Sequence, residues 1–402
     1  MELAVDIFNY VFTSIMIGIA VAWMFLIKSM LDSFRHTPYL DKFEKTNDTT
    51  PKVSIILPAR NEEEHIGKCL ESLINQNYKN YEIIVINDSS EDNTEKIISE
   101  YGKKDSKIIH VNAQPKPEGW MGKNWACMEG YKKATGELLL FTDADTKHKE
   151  TVISLAVAHL LSFDLDALSV IPKMLSFDFW TKITLPMIST FLHTRFSALK
   201  VNDPAKNTGY FFGSFFIIKK KTYDEVGTHE GVKQEIIEDG ALGKKVKEQG
   251  YKIKMVRGEH LISAVWARDR TTLWNALKRL MIPLYLQSGG IAIGIFFAVL
   301  FLLFMPFPFT IYSAVFALDS ISFSVLFATS TLSSILIYTG SVIEVKKALF
   351  LKLKYSVFAP IGSLVVVFGF LAGLVQAKSS SSVSWRGRSY SMKDHVQSSI
   401  SV

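Results

Sequence analysis

Glu137-Leu138-Leu139-Leu140-Phe141-Thr142-Asp143-Ala144-Asp145 is an apolar run, bounded by Gly136, that ends in two carboxylates one residue apart. A short run of this kind predicts a buried parallel strand. In an open α/β sheet, ligands bind at the carboxyl ends of such strands. Two aspartates delivered there suit Mg²⁺ or Mn²⁺ held against a diphosphate, because hard cations take oxygen ligands and leave positions for phosphate and water. Asp-x-Asp also occurs in solvated turns, so the segments on either side have to decide between the two readings.

Those segments alternate. Val53–Leu57 reads as a strand, and His65–Gln76 as a helix with Ile66, Cys69, Leu70, Leu73 and Ile74 on one face. Tyr81–Ile86 is a second strand that runs into Asn87-Asp88-Ser89-Ser90-Glu91-Asp92-Asn93-Thr94, a cluster capping a helix through Ile97, Ile98 and Tyr101. Lys107–Val111, Lys123–Lys133 and Glu137–Phe141 continue as strand, helix and strand. This pitch of βαβ units predicts an α/β domain of Rossmann-like, nucleotide-binding type, with a largely parallel sheet covered on both faces. Farther on, Tyr210–Ile218 reads as a strand carrying Gly213, and Ile236–Glu248 as a helix with Glu238 and Asp239 near its start. Acidic residues in a first turn also serve simply to complement the helix dipole.

The chain has 402 residues, 48% of them hydrophobic, and the apolar ones crowd toward its two ends. Ile7–Ile27 holds no charged residue and is long enough to cross a hydrocarbon core of ~30 Å. Glu2 and Asp6 stand where a cleaved signal peptide would be basic. Lys28, Arg35, Lys42 and Lys45 follow, which predicts that the next segment is cytoplasmic. Ser288–Ile343 has one charged residue, Asp319, and room for two spans, with a break at Met305-Pro306-Phe307-Pro308 or near Asp319. A third span is expected from about Ser356 to Ala377. Lys346, Lys347, Lys352 and Lys354 before it, and Lys378, Arg386 and Arg388 after it, both argue for the cytoplasmic side, which a single crossing cannot satisfy. Either the stretch is a re-entrant hairpin at Pro360 and Gly362, or one basic cluster breaks the rule.

The expected division is therefore an anchor at 1–31, a linker at 32–50, a cytoplasmic domain with interfacial helices at 51–285, a membrane region of about three spans at 286–377 and a polar basic tail at 378–402. The expected location is the cell membrane, multi-pass. Phe177–Leu199, aromatic with Lys182, His193 and Arg195, is expected either on the bilayer surface or packed on the sheet. The net charge of +6 is dispersed, with no basic stripe interleaved with aromatics, which suits an anionic leaflet and not a nucleic acid. Cys69 and Cys127 fall within helices, as core residues too few for a zinc site.

Pro58-Ala59-Arg60-Asn61-Glu62, the cluster from Asp88 to Thr94, Asp143-Ala144-Asp145 and Glu238-Asp239 follow one another in order, and by them residues 51–280 resemble the family 2 glycosyltransferases. Pro58-Ala59-Arg60-Asn61-Glu62 is similar to the family's nucleotide-contacting Pro-x-x-Asn-Glu, and the cluster from Asp88 to Thr94 to its Asp-x-Ser-x-Asp-x-Thr. Asp143-Ala144-Asp145 resembles its metal and diphosphate motif, and Glu238-Asp239 its late acidic pair. Gly119-Trp120-Met121-Gly122-Lys123-Asn124-Trp125-Ala126 and the tail Val383-Ser384-Trp385-Arg386-Gly387-Arg388-Ser389-Tyr390 resemble the membrane-bound branch that includes hopanoid-associated and carotenoid-modifying enzymes. One departure stands out. Where processive polysaccharide synthases carry Gln-x-x-Arg-Trp, this chain has Arg268-Asp269-Arg270-Thr271-Thr272-Leu273-Trp274.

The resemblance implies a GT-A fold and a nucleoside-diphosphate-sugar donor, UDP-linked being the commonest, bound through Pro58, Arg60, Glu62, Asp88, Lys123 and Asp143. Asp145, helped by Asp143, would hold the metal, and Asp239 would be the base of an inverting transfer. Gly213, Glu238, Arg268, Arg270 and Trp274 are secondary candidates for substrate or diphosphate contacts. Anchoring points to a lipid or isoprenoid acceptor. The rival expectations are a processive synthase, a non-catalytic nucleotide-binding membrane protein and a nucleotidyltransferase. The last would carry a Gly-rich loop where Ala59-Arg60-Asn61-Glu62-Glu63-Glu64 stands. Nothing in the sequence indicates the oligomeric state.

Overall fold

The computed structural model describes residues 2–43, 49–379, 382–385 and 388–391. Arg386 and Gly387 of the tail motif, Lys45 and Asp48 of the linker, and most of the basic tail lie outside the described residues. The chain opens with one long helix, α1 (Glu2–His36), and then builds strand and helix in turn. The series is β1 (Val53–Ala59), α2 (Ile66–Ile74), β2 (Tyr81–Asn87), α3 (Thr94–Lys104), β3 (Ile108–Asn112), α4 (Gly122–Tyr131), β4 (Leu138–Phe141), β5 (Thr146–His148), α5 (Val152–Ser162), β6 (Ala167–Ile171) and β7 (Lys173–Ser176). After α6 (Phe179–Arg195) and α7 (Ala198–Asn202) come β8 (Phe216–Lys219), α8 (Lys220–Glu225), α9 (Glu238–Glu248), β9 (Ile253–Arg257) and β10 (Ile262–Ala267).

Seven strands form one sheet in the order β3-β2-β1-β4-β8-β6-β9. All neighbours are parallel except β8, which runs against β4 and β6. Alternation along the strands feeds two separate cores. Ile55 and Leu57 join Leu70, Ile98 and Val152 on one face, while Ile56 joins Ala126, Val201 and Leu242 on the other. Parallel strands buried on both faces read as continuous apolar runs, which is why they were legible. Cys69 and Cys127 are both buried, as expected of core thiols.

The register does the positioning. Val53 pairs with Tyr81 on one side and Leu138 on the other, so the carboxyl ends of β1, β2 and β4 emerge along one edge. A second sheet, β5-β10-β7, stands beyond that edge and ties the turn after β4 to the segment before Arg268.

The expected strand over Tyr210–Ile218 forms only from Phe216. Tyr210, Phe211 and Phe212 do not alternate across a sheet. They pack by ring contact, Tyr210 on Phe196 at 4.5 Å and Phe211 on Phe216 at 4.6 Å, leaving Gly213 in a turn at the sheet edge.

The remaining helices are α10 (Arg270–Gln287), α11 (Gly289–Leu303), α12 (Pro306–Val315), α13 (Ile321–Ile343) and α14 (Ala359–Ser379), followed by a hairpin of β11 (Ser382–Trp385) and β12 (Arg388–Ser391). Three apolar segments, Glu2–His36, Ile321–Ala348 and Leu353–Ser379, are long enough to cross a membrane. α11 and α12 bend by 51° at Met305-Pro306, the first of the two expected breaks, and the chain turns again near Asp319. α14 is one continuous helix, so the hairpin expected at Pro360 and Gly362 does not form. Pro360 falls in its first turn, where its missing N–H costs nothing.

α1 and α13 run side by side in the same direction. Asn9 donates to Ser322 at one end, Ser333 donates to the Met16 carbonyl midway, and Met30 and Phe34 share a cluster with Ala348 and Leu349 at the other. Serines and Gly340 on α13 let the backbones approach, as small residues do between helices in lipid. α6 packs on α1 and α14, its Leu185 shares a cluster with Met174 of β7 and Trp266 of β10, and its Ser189 and His193 bond to Glu344, just past α13, at 2.6 and 3.1 Å.

Candidate active site

The first loop is built around Arg60. Its guanidinium donates to the Asp88 and Ser89 carbonyls at 2.7 and 2.6 Å and to the Glu91 carboxylate at 3.0 Å, holding the loops after β1 and β2 together. Asn61 and Ser89 both sit at positive φ, 52° and 53°, so this double loop carries backbone strain on each side. Pro58 lies in β1 and Asp88 is buried directly after β2. Glu62, also buried, receives a short ion pair from Arg268, which brings the end of β10 back to the first motif.

The second half of the site forms around Lys123. α4 starts at Gly122, and Asn124 donates to the Val232 and Glu235 carbonyls at 2.7 and 3.1 Å, docking the start of α4 against the approach to α9. Lys123 Nζ then lies 2.7 Å from Asp143 and 2.6 Å from Glu238. Asp239, next along α9, accepts from the Gly213 N–H at 2.6 Å and from the Gly240 N–H at 2.8 Å. Gly213 is where a side chain cannot be accommodated without cost. A Cβ there would stand 2.8 Å from Asp239 Oδ2, 3.0 Å from Lys123 Nζ and 3.3 Å from Asp143 Oδ2.

Electrostatics follow from the crowding. Burial, then the neighbouring Glu238 carboxylate, raises Asp239 to about 7 against the pull of Lys123. A carboxyl poised there can take a proton from a hydroxyl near neutral pH. Burial opposes the charge on Lys123, but Asp143, Glu238 and Asp239 outweigh it and hold the ammonium firmly protonated. The acidic first turn of α9 is thus more than a dipole complement: its two side chains face a cation and a glycine turn.

Asp145 lies half-buried in the turn between β4 and β5, and its carbonyl accepts from Val265 of β10 at 3.3 Å. One Asp143 oxygen pairs with Lys123, while Oδ2 faces Gly213. Among the described residues no cluster of three or more acidic, His or Cys side chains is poised around a metal. Two carboxylates one residue apart on a half-exposed loop nonetheless fit a hard cation that completes its shell with phosphate oxygens.

The remaining candidates separate. Arg268 joins the site through Glu62, whereas Arg270 lies 5.1 Å over the Trp180 ring, pointing toward α6. Trp274 falls in the second turn of α10, partly buried. Asn124, quoted there without a role, turns out to matter, as do two residues the sequence did not single out: Ser214, whose carbonyl accepts from Thr142 at 2.7 Å, and Ser169, whose hydroxyl accepts from the Phe212 N–H at 2.8 Å. Buried polar residues on apolar elements are the one signal that could have marked Thr142 and Ser169. A cavity lined by Leu185, His193, Phe196, Phe212, Trp266 and Leu349 opens between α6 and this edge, and Phe212 adjoins Gly213.

An α/β sheet with an acidic pair after β4, a strained double loop after β1 and β2 and a buried aspartate at the start of α9 is the arrangement of a GT-A nucleotide-sugar domain. The family description "Glycosyl transferase family 2" matches residues 54–227, and the chain carries a domain of that family there. The chain is 28% identical over 219 residues to a 4,4'-diaponeurosporenoate glycosyltransferase of Staphylococcus aureus strain bovine RF122 / ET3-1. It is also 28% identical over 220 residues to the protein of that name in strain USA300. Each match spans 54% of this chain and 57% of the relative. Among solved structures, a mannosyltransferase from Pyrobaculum calidifontis in complex with GDP-Man and Mn²⁺ superposes with a TM-score of 0.55 at 16% identity, over 92% of this chain and 99% of that one. That likeness supports the fold.

Proposed function

We propose that this protein transfers one sugar from a nucleoside-diphosphate sugar to a hydroxyl or carboxyl of a membrane lipid or isoprenoid, with inversion and without processive elongation. The observation that carries the reading is the convergence of Asp143, Lys123 and Glu238 with Asp239 around Gly213 at the carboxyl edge of the sheet. Asp88 and the loop held by Arg60 would seat the nucleoside. Lys123 would meet the diphosphate with its ammonium, relinquishing part of its pairing to Asp143. Asp143 and Asp145 would hold Mg²⁺ or Mn²⁺, which when bound neutralises charge developing on the leaving diphosphate. Asp239, positioned by two backbone N–H groups, would take the acceptor proton as its oxygen attacks the anomeric carbon from the face opposite the nucleotide.

The acceptor reading rests on placement. The cavity beside Phe212 is mostly apolar and reaches Leu185 and Leu349, which belong to the cluster holding the ends of α1 and α13. A cytoplasmic domain facing the inner leaflet agrees with the basic residues after α1. The Staphylococcus relatives are named as glycosyltransferases of 4,4'-diaponeurosporenoate. The absence of Gln-x-x-Arg-Trp before α10 favours single transfer over polymer synthesis. The test is product analysis: detergent-purified protein with labelled nucleotide sugars, a divalent cation and lipid extract. One hexose added to a lipid, with inverted anomeric configuration, supports the reading, and a water-soluble polymer or retention of configuration refutes it.

A further inference from the structure

α14 has the length and composition of a crossing, yet it rests along its whole length on helices attached to the catalytic domain. Its first turn lies on α6, where a Cβ on Gly362 would strike the Ile183 carbonyl. Midway, a Cβ on Gly369 would come within 2.6 Å of Leu277, and one on Gly373 within 2.7 Å of the Lys278 carbonyl, both on α10. At its end, Ala377 packs with Ile282 of α10 and with Ile236, two residues before Glu238. α10 is itself pinned at both ends to the domain, through Arg268 and Glu62 at its start and through Ile282 and Ile236 farther along. It therefore roofs the cleft from the donor loops to the helix of the base, and α14 runs over it in the same direction. Beyond α14, β11 also rests on α10. The opposite face of α14 is bare: Ile361, Phe368 and Val375, seven residues apart and so on one side of a helix, are 43, 51 and 62% exposed. Lys352 and Lys354 precede this stripe and Lys378 follows it.

We infer that α14 does not cross the bilayer but lies in its interface, with the Ile361-Phe368-Val375 stripe in the acyl region and the flanking lysines at anionic headgroups. The lipid surface is then the outer partner of the α10 roof. This rests on the proposed crossing of the membrane by α1 and α13. The bent pair α11–α12 returns the chain between them, giving three crossings, and both basic clusters fall on the side of the domain. The conflict between those clusters, insoluble for a spanning helix, disappears.

The test uses the full chain in sealed vesicles of phosphatidylcholine and phosphatidylglycerol. Spin labels at Ile361→Cys, Phe368→Cys and Val375→Cys, all exposed sites, report depth. An impermeant maleimide reports the side of Ser379→Cys, of Leu318→Cys in the exposed α12–α13 turn, and of Lys147→Cys on the domain surface. Cys69 and Cys127 are buried and do not compete. The expected result is equal depth at the three labels, with Ser379→Cys on the side of Lys147→Cys and Leu318→Cys on the other. A depth gradient of about 21 Å, from 1.5 Å per residue along a crossing helix, would overturn the inference, as would Ser379→Cys on the side of Leu318→Cys. Leu318→Cys on the domain side would instead defeat the crossing of α13 beneath it.

Discussion

The Lys123 ammonium lies 2.6 Å from a Glu238 carboxylate oxygen, so a cation at the start of α4 and an acid at the start of α9 meet across the floor of the cleft. Removing the cation leaves buried carboxylates uncompensated. Lys123→Met is expected to cost about 3–5 kcal/mol of stability, the penalty for breaking a buried pair, and to lower turnover by at least 10²-fold. Because Lys123 pulls Asp239 down, the acid limb of the rate profile should move upward in the variant. Thermal melts and kcat/KM against pH read both effects.

The pH dependence of the parent follows from Asp239. In the proposed role of base Asp239 works only when ionised, and burial raises it to about 7, so kcat/KM should climb through that pH from the acid side. Stability runs the other way. A carboxyl whose folded value lies above its unfolded value near 4 favours folding when protonated, so its contribution is lost as pH rises from about 4 through 7. Asp239→Asn removes that loss. The variant should melt above the parent at pH 8, by roughly 2–4 °C for each kcal/mol relieved, with the gap closing toward pH 4.

Gly213→Ala separates geometry from folding. The added Cβ meets only the ends of the Asp239, Lys123 and Asp143 side chains, which can shift, so the fold should survive with stability within about 1 kcal/mol. The displaced cluster should lose about 10²-fold or more in kcat. Circular dichroism melts beside single-turnover rates measure the two.

Arg268 and Arg270 looked equivalent in sequence and are not. Arg268→Ala removes the cation that faces the buried Glu62 and should raise the donor KM while costing a few kcal/mol. Arg270→Ala loses its place over Trp180, worth about 0.5–1 kcal/mol, and should leave donor KM unchanged. Donor titrations of the two variants decide the matter.

That pair also marks where sequence reading ends. β1 to β4 and the acidic ends of β4 and α9 were legible because parallel strands buried on both faces are uninterrupted apolar runs and polar clusters punctuate them, whereas β5, β6, β7, β9 and β10 were not anticipated. The turn at Gly213 was not legible, since Tyr210, Phe211 and Phe212 have strand composition but pack by ring contact, Tyr210 and Phe211 stacked and Phe212 edge-on to Tyr210. Nor were the contacts of Lys123 with Glu238 and of Arg268 with Glu62, which join residues far apart in the chain and follow only from the register that gathers β1, β2 and β4 on one edge. The course of α14 escaped for a similar reason: composition sets its length and apolarity, but its glycines gain meaning only against α6 and α10.

The central claim is that Asp239 is the base of a sugar transfer and not part of the donor site. The direct measurement compares parent and Asp239→Asn for nucleotide-sugar affinity and for lipid-dependent release of nucleoside diphosphate. Donor affinity within a few-fold of the parent, with release reduced about 10²–10⁴-fold, is the predicted result. Release that continues unabated in the variant, or donor affinity that falls as steeply as turnover, would contradict it.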